Sequence, residues 1–205
     1  SHLGSHIMGD NGFIISEYVE GSSYNKAIEL YNGTNTTIDL SKYKICTYFN
    51  GSSTPGATLT LSGNLPSGAT FVIVSYQCTN TDLKGKANMF DTSSTHVINF
   101  NGDDAVALIR TSDGSFVDVF GQIGFDPGSY WGTSPNTTQD HTLVRKSNVL
   151  RGDPIGNDTF DPAIEWDFYP QDDFSHLGSH IMGNAAPTLD WTGEEGYESD
   201  GIEPS

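Results

Sequence analysis

The sequence predicts an all-β sandwich with long loops. Three observations carry that expectation. Short β-rich runs recur along the chain. Turn signals separate them at roughly every 8–12 residues, the spacing of sandwich strands. Helix signals are scarce, while Gly 23 and Pro 9, with many Ser, Thr and Asn, supply frequent turns.

The elements follow in order. Phe13–Val19 is β-rich with partial alternation. A Gly21-Ser22-Ser23 turn leads to Ala27–Tyr31, which reads as the second arm of a hairpin. Ile38–Phe49 carries Leu40, Tyr43, Ile45, Thr47 and Phe49, and Thr58–Leu61 alternates Thr with Leu. Thr70–Tyr76 is a continuous apolar run, as a central strand requires. Val97–Phe100, Ala105–Arg110 and Phe116–Gly121 come next, the last two joined by a Ser112-Asp113-Gly114-Ser115 hairpin turn, and Thr142–Lys146 closes the series. Lys84–Asp91 is compatible with a turn or two of helix, which Gly85 keeps short.

Three regions are expected. Residues 1–11 form an N-terminal segment, 12–183 the sandwich, and 184–205 an acidic linker or the start of a further module. Ser1–Gly9 reads SHLGSHIMG, and Ser175–Gly183 reads the same. Two origins fit this repeat: a tag, or the end of a preceding unit in a tandem array. In the tail, Leu189, Trp191 and Tyr197 stand among six acids with no base.

Composition limits the function. Lys and Arg total 9 against 26 acids, a formal net charge of −17. Binding to nucleic acid draws on Lys and Arg to neutralise phosphates, so such a surface repels DNA and anionic membranes. No apolar run is long enough for a bilayer-spanning helix, so membrane insertion is not expected. Cys46 and Cys78 lie in or at the end of strand-like runs and allow one pairing. In a secreted protein that pairing reads as a disulfide; the alternative is two separate half-buried thiols.

Several segments together resemble the lamin tail domain family in its bacterial, extracellular form. They are Ile15-Ser16-Glu17-Tyr18, Asn25–Asn32, Asp39–Ile45, Asn101–Leu108, Val117–Gly121, Asp140–Lys146, and Glu165-Trp166 before Phe174–His180. They arrive in family order from about Phe13 to His180. The resemblance implies an immunoglobulin-like β-sandwich. It also implies a non-catalytic module that accompanies other domains in surface and secreted proteins. The repeated SHLGSHIMG segment favours self-association, with the N-terminal copy taking the place of the C-terminal copy in a neighbour; otherwise protein partners are expected. Members in nuclear scaffolds contact DNA; this chain lacks a basic patch, so that role is not carried over.

Other constellations deserve weighing. Glu17 and Glu29 fall on neighbouring predicted strands and Asp103-Asp104 opens another, so calcium is the cofactor these acids would share if the strands align. The competing reading gives them Lys26, Arg110 or Arg145 as partners, or backbone N–H groups in turns. Tyr130-Trp131 sits in a Gly/Pro-rich loop and offers a stacking platform for a glycan or a protein, unless it closes the end of the core. His176 and His180 would share a face only on a helix, which Gly178 breaks. His141 beside Asp140 lacks a nucleophile elbow. The sequence therefore points to an extracellular structural or interaction module. The alternative is an accessory module binding calcium or carbohydrate.

Overall fold

The computed structural model describes residues 10–183. Its strands are β1 (Phe13–Glu20), β2 (Lys26–Asn32), β3 (Ile38–Asp39), β4 (Tyr43–Tyr48), β5 (Ala57–Thr60), β6 (Asn64–Leu65) and β7 (Thr70–Ser75). A short helix α1 (Thr81–Lys86) precedes β8 (Met89–Asp91), β9 (Ala105–Arg110), β10 (Phe116–Phe120), β11 (Gly132–Thr133), β12 (Asn136–Thr137) and β13 (His141–Arg145). A single turn, α2 (Pro162–Glu165), leads into β14 (Trp166–Pro170). The larger sheet has six strands in the order β14-β13-β1-β2-β7-β8, and the smaller has four in the order β10-β9-β4-β5. All neighbours in these two sheets run antiparallel except β7 and β8. Such a pair of sheets, facing each other across one apolar layer, is an immunoglobulin-like sandwich.

The layer between the sheets is aromatic and aliphatic. Phe13, Ile15, Tyr18, Ile28, Leu30 and Ile73 come from the larger sheet, and Ile45, Leu59, Val106, Leu108 and Phe120 from the smaller. Tyr18 lies between the rings of Phe100 and Phe120, at 4.7 and 4.0 Å between centroids. The partial alternation of β1 has a physical cause. Its register against β2 shifts between Ile15 and Glu17, so Ser16 is an extra residue. The bulge lets Ile15 and Tyr18 both face the core and sends Glu17 to the opposite face.

Two expected strands differ. Ile38–Phe49 is broken because the Asp39 carboxylate accepts from the Ser41 amide and caps a 3-10 turn at Leu40–Lys42. Val97–Phe100 is not a strand. It plugs one end of the sandwich, with Ile98 N–H donating to Asp91 and the Val97 and Phe100 carbonyls accepting from Thr47 and Lys26. The helix begins three residues before the predicted Lys84, capped by the Asn80 side chain. Among the described residues no helix is long and apolar enough to cross a membrane.

Candidate functional site

The outer face of the larger sheet is also covered, by the chain itself. Val19, Ala27, Val72 and Val74 point outward, and Phe174 and Leu177 from the C-terminal segment seal them together with Leu83 of α1. This segment forms a strap that follows β2 from end to end. Asp172 accepts from the Ser22 amide and hydroxyl at the start of β2. The Gly178 amide donates to the Glu29 carboxylate at 2.7 Å. His180 meets Tyr31 edge-on at 4.9 Å, and a Cβ on Gly33 would run into the Met182 sulfur. Across the sheet, Thr142 donates to the Asp173 carbonyl, Lys86 to the Leu177 carbonyl, and Gly183 N–H to the Ser147 carbonyl. Gly178 has φ of +103°, a conformation that admits the close approach of its amide to Glu29 and disfavours any side chain.

Beneath the strap lie two carboxyls. Glu17 and Glu29 are register partners on β1 and β2, and both are buried. Glu29 accepts from the Ser16 hydroxyl and from Gly178 N–H, both at 2.7 Å. Neither Glu17 oxygen has a hydrogen-bond partner among the described residues. Burial, reinforced by the Glu29 charge, pushes the Glu17 carboxyl up to about 9, so it is neutral at physiological pH. Burial also raises Glu29 to about 7, with the Gly178 amide and the Ser16 hydroxyl opposing. His180 is held down at about 4, by burial and then by Arg145. The surface cleft beside the strap is lined by Thr81, Asp82, Gly85, Lys86 and Asp172–Ser175, not by Glu17 or Glu29. The pair is enclosed rather than presented to a substrate.

A second polar node joins the two sheets. Asp118 on β10 accepts from both terminal nitrogens of Arg145, from Ile15 N–H at the bulge, and from Asp153 N–H. Arg145 on β13 also donates to Ile15 carbonyl and Glu165, and its guanidinium lies 4.7 Å from the Trp166 ring centre. Arg145 and Asp118 are fully enclosed, so the fourfold bonding of Asp118 compensates for its lost hydration.

The expected site residues separate. Glu17 and Glu29 do meet, but Asp104 sits elsewhere, accepting from Asn50 and Asn101 amides at the turn before β9. Asp103 lies in that same turn. Turn-capping geometry therefore claims Asp104, and no group of three or more His, Cys, Asp or Glu among the described residues is arranged to hold a metal. Cys46 and Cys78 are free buried thiols rather than a disulfide. Cys46 packs with Tyr48, Ala107 and Trp131 on the outer side of the smaller sheet, whereas Cys78 belongs to the cluster under the strap. Their sulfurs face Thr58 and Asn25 respectively. Of the aromatic loop, Tyr130 is part-exposed but Trp131 is buried against Phe160, ring centres 5.6 Å apart, so it closes the core instead of offering a platform.

Sequence reasoning weighed Arg145 as a partner for other acids and missed Asp118, with which the structure pairs it. The signal existed: Asp118 interrupts the apolar run Phe116–Phe120, and Arg145 ends an alternating strand on its inward side. A charge at a core position of a strand needs a partner at another core position. Residues 1–9 and 184–205, where the first repeat copy and the acidic tail fall, lie outside the described residues.

No curated protein matches the chain. A family model, the Lamin Tail Domain, matches residues 9–124, which takes in β1 to β10, the whole smaller sheet and four of the six strands of the larger one. That span is more than half of the 205 residues, and the chain belongs to the lamin tail domain family, a generally non-catalytic immunoglobulin-like module of protein interaction.

Proposed function

We propose that the chain is a structural and interaction module of a larger bacterial surface or secreted protein, positioned outside the cell. It holds neighbouring modules and docks protein partners rather than transforming a substrate. The observation that carries this reading is the self-closed sandwich. The strap covers the outer face of the larger sheet, and the buried carboxyls beneath it face protein groups instead of a cleft. The excess of 26 acids over 9 bases supports an extracellular setting in which solubility and repulsion from nucleic acid are tolerated. Residues 12–183 would be the working unit and 184–205 a linker toward further modules.

Thermal melting and light scattering, in calcium and then in chelator, test this reading. A melting temperature unchanged by calcium is expected, because Asp104 is committed to two backbone amides and sits apart from Glu17 and Glu29. A clear calcium-dependent rise would replace the structural reading with a cation-binding one.

A further inference from the structure

Residues 175–183 of the strap and the first nine residues of the chain are the same sequence. We propose that the outer face of the larger sheet is an exchangeable docking site, and that its second occupant is residues 1–9 of another copy of this chain. This rests on the interaction-module reading above and names its partner. The correspondence is residue for residue at an offset of 174, so Leu3 matches Leu177, Gly4 matches Gly178, His6 matches His180 and Met8 matches Met182.

Each of these strap residues makes a contact that depends on its chemistry. Leu177 fills the apolar cluster on Val72 and Val74. Gly178 takes the positive φ that brings its amide to Glu29. His180 lies against Tyr31, and Met182 against Gly33. A second segment with the same side chains in the same order satisfies every one of them, including the Glu29 carboxylate that loses a donor whenever the strap lifts.

The chain's course favours the exchange. The strap ends at the corner where Gly33 N–H donates to the Gly12 carbonyl, with Met182 against Gly33. Residues 1–9 join the domain two residues from that corner, at Asp10, which Arg110 and Tyr43 anchor to the smaller sheet. A copy seated on a neighbouring domain therefore ends where its own domain begins, with no linker. The result is a head-to-tail contact, and such heterologous contacts propagate into chains or close into rings. The resident strap competes for the site because it is tethered.

Molar mass by light scattering, over a concentration series of the full chain, tests the proposal with substitutions in either copy. Leu177→Asp weakens the resident strap and should lower the concentration needed for association by about tenfold or more, since the competent open site becomes the major state. Leu177→Ala serves the same purpose if the charged variant does not fold. Leu3→Asp, in the first copy of the repeat, should return either variant to the 22.1 kDa monomer. Folded Leu177→Ala that stays monomeric at every concentration overturns the proposal. It does so equally if Leu3→Asp lowers that monomer's melting temperature, which would place residues 1–9 on their own domain. Association that persists with Leu3→Asp also overturns it. None of these results touches the calcium test, so the broader reading stands or falls separately.

Discussion

The two faces of the larger sheet are buried in different ways. Its inner face meets a second sheet, through Tyr18, Ile28, Leu30 and Ile73 against Ile45, Leu108 and Phe120, and the buried Asp118 and Arg145 charges there pair with each other. Among the described residues its outer face meets α1 and a strap, through Leu83, Phe174 and Leu177, and it encloses Glu17 without a partner. An inner layer between sheets is lost only when the sandwich opens. A strap held by a few side chains and backbone bonds is expected to open without the rest of the sandwich, as segments with few apolar contacts do. The comparison separates a permanent core from a surface cover that can be released.

The largest expected effect lies on the inner side. Asp118→Ala leaves a buried guanidinium against Trp166 and strips the Ile15 and Asp153 amides of their acceptor. A loss of about 3–5 kcal/mol in urea denaturation is expected. Replacing both partners with apolar residues of similar size should cost less than that single change, because no unpaired charge remains.

On the outer side, Leu177→Ala should cost about 2–4 kcal/mol by the same measurement, from lost burial and the cavity left behind. The Glu29 side of the strap would loosen with it, so the Tyr31–His180 contact should weaken in parallel, visible in the histidine ring resonances.

Glu17 gives the outer face its pH dependence. In the folded chain its carboxyl stays protonated up to about 9, against 4.5 as the ordinary value. Between those values the folded state holds a proton that the unfolded state has lost, so stability falls as pH rises. The contribution is complete below about 4.5 and gone above about 9. Glu29 acts in the same sense up to about 7. His180 acts oppositely, costing stability as pH falls from 6.5 towards 4. Glu17→Gln should flatten the alkaline limb. It should match the parent near pH 5 and exceed it increasingly toward pH 9, at a slope of up to about 1.4 kcal/mol per pH unit, because the amide has no proton to lose. Denaturation midpoints across that pH range check it.

The smallest effect concerns α1, which holds Leu83 on the outer cluster. Asn80 accepts from the Asp82 and Leu83 amides. Asn80→Ala should cost about 1 kcal/mol, seen as a small drop in melting temperature.

Much of this arrangement is legible in the sequence. Apolar β-rich runs and turn spacing place β1, β2, β7, β9, β10 and β13 to within a residue or two, because these strands are buried along most of their length. Glu17 and Glu29 were expected on neighbouring strands, and their register makes them direct partners. The failures have specific physical causes. Val97–Phe100 is apolar because it plugs the sandwich end, which periodicity does not distinguish from a strand. The edge strand β14 carries Asp167 and ends in Pro170, so its pattern is weak, and its pairing with β13 is a long-range fact. Cys46 and Cys78 suit a bridge by number and by a secreted setting, but they lie under different faces. The strap is the hardest case. Its Gly-rich, polar sequence resembles a linker, and its role appears only once β2 supplies the track beneath it.

Native-state hydrogen exchange tests the central contrast most directly. The Gly178 amide, bonded to Glu29, should exchange through a local opening that costs clearly less free energy than the amides of β4 and β9. Equal protection at both places would mean that the strap opens only with the whole sandwich, and the account of a releasable cover would be wrong.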